Sequence, residues 1–249
     1  MKVIAVVPAR MASTRFPGKP LADILGLPMI EHVRRRLLLS HEINDVIVAT
    51  CDQEILDLVQ NYGGQAIMTS DQHERCTDRV AEAVETINVD VVINVQGDEP
   101  LVNPGMIGPL LEPLKKEKEL LCTNLMTKIE TNVEFNNPNV VKTVCDPQGN
   151  AIYFSRESIP SPLKAGELNY NKFKQLGIIA FRNDFLNHFT KLPPTPLEQV
   201  ESVDMMRAVE HGYKVRMVMS NFKGIGVDTP NDLEQAKALM ENDKWFGKY

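Results

Sequence analysis

The sequence predicts an α/β protein built on a mostly parallel, twisted sheet flanked by helices, with a strand-rich excursion in its later half. Three observations carry this. Short apolar runs rich in β-branched residues, at 3–7, 44–50 and 90–95, have the length and composition of strands buried on both faces. They alternate with segments whose apolar residues recur at helical spacing, such as Ile30, Val33, Leu37 and Leu38, and that alternation implies parallel pairing under covering helices. A length of 249 residues with 43% hydrophobic content is enough to bury one large core, so the chain reads as one domain.

Taken in order, the first strand ends at Pro8 and gives way to small residues and cations. A turn over 21–28 precedes a helix over 29–39. A strand at 44–50 follows, then a helix opening on Asp52 as N-cap and closing before Gly63-Gly64. Next come a short strand at 65–68, a polar stretch at 69–77, a helix over 78–87 and a strand over 90–95 that ends in Gln96-Gly-Asp-Glu-Pro100. Residues 104–119 are helical and finish in the solvated run Lys115-Lys-Glu-Lys-Glu119. Strands are then expected at 123–127, 140–144 and 151–155, the last two joined by a turn at Asp146-Pro-Gln-Gly149. A loop runs from Pro160 to Lys174, a strand covers 176–181, and a helix over 197–211 stops at Gly212. Strands at 215–219 and 224–228 lead to a last helix, capped by Asp228 or Thr229 with Pro230 in its first turn.

Composition excludes several classes. A net charge of −6 and a pI near 5.5 argue against a general nucleic-acid or anionic-membrane surface. The chain has no apolar run of membrane-spanning length and no basic leader followed by an apolar stretch, so a cytoplasmic protein without membrane insertion is expected. Cys51, Cys76, Cys122 and Cys145 lack metal-ligand spacing and read as free thiols. No G-x-G-x-x-G follows the first strand, which removes a dinucleotide-dependent oxidoreductase.

Against this acidic background, Arg10, Arg15 and Lys19 are a local exception at the carboxyl end of the first strand, where open α/β sheets bind ligands. Small residues there expose backbone N–H groups, and three cations could neutralise a triphosphate; a solvated basic loop is the plainer alternative. Asp98 and Asp228 also follow strands. Paired carboxylates suit Mg²⁺, which takes its other ligands from phosphates and water, although either Asp alone could serve a turn or a helix cap.

Four segments, Pro8-Ala-Arg-Met-Ala-Ser-Thr-Arg-Phe-Pro-Gly-Lys-Pro20, Asn94-Val-Gln-Gly-Asp-Glu-Pro100, Tyr153-Phe-Ser-Arg-Glu-Ser-Ile-Pro160 and Gly226-Val-Asp-Thr-Pro-Asn-Asp-Leu233, together resemble the 3-deoxy-manno-octulosonate (KDO) cytidylyltransferases, or CMP-KDO synthetases. The resemblance spans nearly the whole chain. It implies a nucleotide-diphospho-sugar transferase-like fold, with residues 1–120 and 220–249 as nucleotide-binding core and about 121–219 as acceptor and dimerisation part of a homodimer. It implies Mg²⁺-dependent transfer of CMP from CTP to a 2-keto-3-deoxy sugar acid, with release of pyrophosphate, for lipopolysaccharide or capsule precursors. By matching position, Arg10, Ser13, Arg15 and Lys19 bind the CTP phosphates. Pro8, Ala9 and the 69–79 segment, with Arg75, Thr77 and Arg79, enclose base and ribose. Asp98 and Asp228 hold the metal, and Gln96 and Arg156 contact the sugar acid. Lys19, Arg10, Asp98 and Asp228 form the implied catalytic set.

The chain departs from the family pattern in two places. Where the family reads Ser-Gly-Thr-Glu-Arg, this chain has Arg75-Cys-Thr-Asp-Arg79. In the implied acceptor pocket, His-Leu-Gly-Ile-Tyr-Gly-Tyr-Arg becomes Gln175-Leu-Gly-Ile-Ile-Ala-Phe-Arg182, and Glu-Gln-Leu-Arg becomes Asp204-Met-Met-Arg207. A buried group built to pair with a substrate hydroxyl is costly to leave unpaired, so changes at Gln175, Ile179, Asp204 and Met205 point to a modified acceptor. Amino or deoxy KDO, another ulosonic acid and a phosphonate are the alternatives. A nucleotidyltransferase for another nucleotide and an inactive nucleotide-binding paralogue are the competing readings.

Overall fold

A computed structural model of the chain describes residues 1–13, 15–165, 170–222 and 224–249. The chain forms two compact units, Met1–Gly108 with Lys223–Tyr249, and Pro109–Phe222.

The first unit opens with β1 (Val3–Ala9), followed by a 3₁₀ turn at Lys19–Leu21 and a small hairpin of β2 (Asp23–Ile24) and β3 (Leu27–Pro28). Then come α1 (Met29–Leu38), β4 (Asp45–Thr50), α2 (Gln53–Asn61), β5 (Gln65–Met68), α3 (Cys76–Val84) and β6 (Val91–Val95). The strands β6, β1, β4 and β5 lie side by side in that order, each pair parallel. All seven residues of β1 are buried, which accounts for its unbroken apolar sequence. Ile30, Val33 and Leu37 put the apolar stripe of α1 into the core, each buried side chain contributing roughly 1.5–3 kcal/mol. Gly63 ends α2 with φ 73°. At Gly64 an added Cβ would lie 2.6 Å from Arg34 Nε, so this position has no room for a side chain.

Register decides what meets at the sheet's carboxyl edge. Ala9 pairs with Thr50, so Arg10 emerges beside Cys51 and Asp52. Val6 pairs with Asn94, so Pro8 runs beside Gln96. Three strand ends therefore deliver the first loop, Asp52 and the Gln96-Gly-Asp98 segment to one edge.

A 3₁₀ turn at Pro104–Met106 leads into α4 (Ile107–Lys116), within which the unit boundary falls. The second unit continues with β7 (Cys122–Lys128), α5 (Asn132–Phe135), β8 (Lys142–Cys145), β9 (Ala151–Ser155), α6 (Pro162–Ala165), β10 (Phe173–Arg182), α7 (Asn183–Phe189), α8 (Pro196–Glu201), α9 (Met205–Glu210) and β11 (Val215–Met219). Here β7 is parallel to β11 and antiparallel to β10, and β8 is antiparallel to both β10 and β9. The β7–β10 register shifts between Gln175 and Ile179. The Asn124 carboxamide donates there to Leu176 O at 2.8 Å and Ile178 O at 3.0 Å, satisfying carbonyls the ladder leaves out. The chain returns to the first unit and ends with α10 (Pro230–Glu241).

The structure corrects several expectations. The helix expected over 197–211 is two helices, α8 and α9, because Ser202 turns left-handed with φ 51° and Arg156 takes up the Glu201 and Ser202 carbonyls. No strand forms at 224–228; Val227 N–H instead donates to Asp98 O at 2.8 Å. The helix expected over 78–87 runs two to three residues earlier, as α3. The loop expected from Pro160 to Lys174 contains the short α6 and yields to β10 at Phe173, and its residues 166–169 lie outside the described residues. The helix α7 had no counterpart in the sequence reading. No helix among the described residues is long and apolar enough to cross a membrane.

Candidate active site

A cavity of about 330 Å³ opens where the carboxyl ends of β1 and β6 meet the start of α3. Its walls include Pro8, Ala9, Arg10, Ser13, Arg15 and Lys19 from the first loop, Arg75 and Arg79 from α3 and its approach, and Gln96, Asp98 and Asp228.

The loop from Arg10 to Gly18 has no ladder to hold it and is folded on one peptide. The Met11 carbonyl accepts from Ser13 N–H at 2.9 Å and Gly18 N–H at 3.0 Å. Gly18 adopts φ 71°, a left-handed turn that costs a side-chain-bearing residue about 1–2 kcal/mol, and it hands the chain to the 3₁₀ turn that starts at Lys19. Thr14 lies outside the described residues.

Lys19 is the hub. Its ammonium donates to Asp98 Oδ2 at 2.6 Å, Val227 O at 3.0 Å and Asp228 Oδ1 at 3.3 Å. Arg15 adds a contact to Asp228 Oδ1 at 2.9 Å. The two carboxylates predicted from strand ends thus meet on one cation, drawn together by the Val227–Asp98 backbone bond. Asp228 is free of capping duty: Thr229 caps α10, with Thr229 and Asp232 forming a reciprocal box. Of the two caps the sequence allowed, the structure uses Thr229.

Gln96 Nε2 donates to the Cys76 sulfur at 3.0 Å, so the cysteine that stands where the family pattern has glycine carries a contact to a site amide. Arg79 is buried and donates to Thr69 Oγ1 at 2.5 Å. Thr77 is buried at the first turn of α3 and is not among the lining residues. Gly97 is required by space, since an added Cβ would sit 2.9 Å from Pro8 O.

Arg156, Gln175, Ile179, Asp204 and Met205 belong to the second unit and are not among the lining residues. Arg156 donates through Nε to Glu201 O at 2.7 Å, through one terminal nitrogen to Pro138 O at 3.0 Å and through the other to Ser202 O at 3.2 Å. Beside it, burial alone would raise the Glu201 carboxyl, but hydrogen bonds from the Arg156 N–H and the Ser155 and Tyr153 hydroxyls outweigh burial and hold it below the usual range. Gln175 Nε2 donates to Asn124 Oδ1 at 2.6 Å, Ile179 and Met205 are buried core residues, and Asp204 precedes α9.

Sequence reasoning missed the role of one residue. Asp52, expected to cap α2, makes no side-chain cap bond; its Oδ2 accepts from Met11 N–H at 2.8 Å. The available signal was its place just past the strand that pairs with β1.

Comparison with known proteins identifies the family and the fold. A family profile described as cytidylyltransferase matches residues 4–221. A 3-deoxy-manno-octulosonate cytidylyltransferase of Geotalea daltonii is 44% identical, covering 97% of this chain and 99% of the relative. One of Fusobacterium nucleatum is 45% identical over 98% of this chain and 99% of its own. Among solved structures, CMP:2-keto-3-deoxy-manno-octonic acid synthetase complexed with CTP superposes with a TM-score of 0.91 at 40% identity, covering 97% of this chain and 99% of that one. A cytidylyltransferase from Leptospira borgpetersenii shares the fold alone, at 18% identity and a TM-score of 0.65, with coverage of 98% and 88%. The chain belongs to the 3-deoxy-manno-octulosonate cytidylyltransferase family.

Proposed function

We propose that this chain transfers CMP from CTP to the anomeric hydroxyl of KDO, or of a closely related 2-keto-3-deoxy sugar acid, and releases pyrophosphate. The observation that carries the reading is the convergence of Lys19, Arg15, Asp98 and Asp228 in one cavity at the carboxyl edge of the sheet. Cations gather there to take a polyphosphate, and carboxylates to take a hard dication.

The residues fit Mg²⁺. Asp98 and Asp228 already place carboxylate oxygens around one compact positive group, the Lys19 ammonium. Among the described residues no group of three or more His, Cys, Asp or Glu side chains converges as a protein cage, and Mg²⁺ is commonly held by one or two carboxylates plus substrate phosphates. When bound, the metal supplies charge neutralisation at the phosphoryl oxygens.

In this reading Arg10, Ser13, Arg15 and Lys19 hold the triphosphate, and Pro8, Ala9 and residues 69–79 with Arg75, Thr77 and Arg79 enclose base and ribose. The anomeric hydroxyl attacks the α-phosphorus in line and pyrophosphate departs. Positioning and electrostatics do most of the work. Gln96, its amide steadied by Cys76, and Arg156 orient the acid. Residues around 121–219, including Gln175, Ile179, Asp204 and Met205, are assigned to the acceptor side and to pairing of two copies. A cytoplasmic reaction fits this reading, since CTP is the substrate it requires.

The test is pyrophosphate release with CTP, UTP and ATP against KDO, amino and deoxy KDO variants and other ulosonic acids, with Mg²⁺ or EDTA. CTP- and Mg²⁺-dependent release with one such acid is expected. Release that ignores the base, or none with any ulosonic acid, overturns the reading.

A further inference from the structure

The loop that carries Arg10, Ser13, Arg15 and Lys19 is tied through its side chains to Asp98 and Asp228, and its backbone is tied to β4 at Met11. Met11 N–H donates to Asp52 Oδ2 at 2.8 Å, across 41 residues of sequence. The same Met11 peptide accepts from Ser13 and Gly18 through its carbonyl, so both faces of one amide are engaged. Asp52 is itself fixed: its N–H donates to the hydroxyl of Thr50 at 3.1 Å, and Thr50 is fully buried at the end of β4, paired with Ala9. A rigid path thus runs from the sheet through Asp52 to the loop, and through the loop to Lys19. Sequence alone assigns Asp52 to the N-terminus of α2, yet its side chain makes no cap bond there.

We propose that Asp52 is a positioning residue for nucleotide binding, one that sets the angle of the triphosphate loop through the Met11 amide without touching substrate. The inference rests on the reading of the cavity as a CTP site. The bond fixes the amide on which the loop backbone turns, so the position of the acceptor oxygen sets the angle of the loop. The carboxylate is not among the residues that line the cavity, so its task is geometric.

Three variants test this: Asp52→Ala, Asp52→Asn, which keeps an acceptor oxygen, and Asp52→Glu, which keeps the charge but moves it by one methylene. CTP affinity by calorimetry with Mg²⁺ and no acceptor substrate, steady-state KM and kcat, and hydrogen exchange at the Met11 amide are measured. Asp52→Ala and Asp52→Glu are expected to weaken CTP binding and raise its KM about tenfold or more, with kcat changed less, while Asp52→Asn stays within about threefold of the parent. Met11 exchange accelerates in Asp52→Ala even without CTP. Unchanged CTP affinity in Asp52→Ala and Asp52→Glu overturns the proposal, as does an Asp52→Asn variant as impaired as Asp52→Ala. Should Asp52→Ala not fold, Asp52→Glu and Asp52→Asn still decide. A parent protein that binds no CTP sinks the assignment of the cavity instead, and the Met11 exchange rates then still report whether Asp52 holds the loop.

Discussion

Lys19 Nζ lies 2.6 Å from Asp98 Oδ2, a contact between a residue of the first loop and one that follows β6, 79 positions apart in sequence. Asp228 joins the same ammonium from a third segment. The three form one electrostatic unit, to which Arg15 adds a second cation on Asp228.

Removing the hub is therefore expected to be the most damaging single change. Lys19→Ala loses a cation that faces the phosphates and leaves Asp98 and Asp228 repelling each other. Pyrophosphate release with saturating acceptor should show kcat/KM for CTP reduced by roughly 10²-fold or more. Lys19→Arg should recover little, because a planar fork cannot replace a point charge on three acceptors.

Asp228 and Thr229 are neighbours with separable roles. Asp228→Asn should leave the unfolding midpoint nearly unchanged and lower activity by roughly 10²-fold. Thr229→Ala removes the cap of α10 and should cost about 1 kcal/mol of stability with a smaller effect on rate. Denaturant unfolding and kinetics of the pair distinguish the two roles.

Gly97→Ala is expected to fail on space. The new methyl would sit 2.9 Å from Pro8 O and 3.4 Å from Ile30 Cδ1, forcing β6 and β1 apart at the cavity floor. A loss of about 1–3 kcal/mol is expected, read as a lowered thermal midpoint together with weakened CTP binding.

His32 provides a pH test. It is fully buried in α1, with Nε2 on Ile24 O and Nδ1 on the Tyr249 hydroxyl, each at 2.7 Å. Burial, reinforced by nearby Arg36 against the opposing pull of the Ile24 and Leu27 backbone and Asp23, lowers its pKa from 6.5. The unfolded chain then takes up the proton first, so stability is full above about pH 6.5 and declines as pH falls below it. His32→Gln should flatten that slope in unfolding experiments at pH 7.5 and pH 5.5.

Much of the framework was legible because its signals are local. The apolar runs of β1, β4 and β6 and the stripe of α1 state their own burial, and Pro230 with Thr229 announces a helix start. The break at Ser202 was not legible. Nothing in Gln199-Val-Glu-Ser-Val203 forbids a helix, and the carbonyls exposed by stopping there are taken by Arg156 from a distant strand end. The same holds for α7, whose Phe185 and Phe189 pack against Phe181 of β10.

The site divides in the same way. By itself the sequence determined which residue types were present: three cations in one loop, two carboxylates after strands and a family pattern linking them. Only the tertiary structure decided that Asp98 and Asp228 share Lys19, that Thr229 frees Asp228 from capping, and that Asp52 serves the loop in place of its own helix. The reason is physical. Propensity and periodicity act over a few residues, whereas hydrogen bonds and ion pairs depend on strand register, and register brings together groups that the chain separates by 41, 79 and 209 positions.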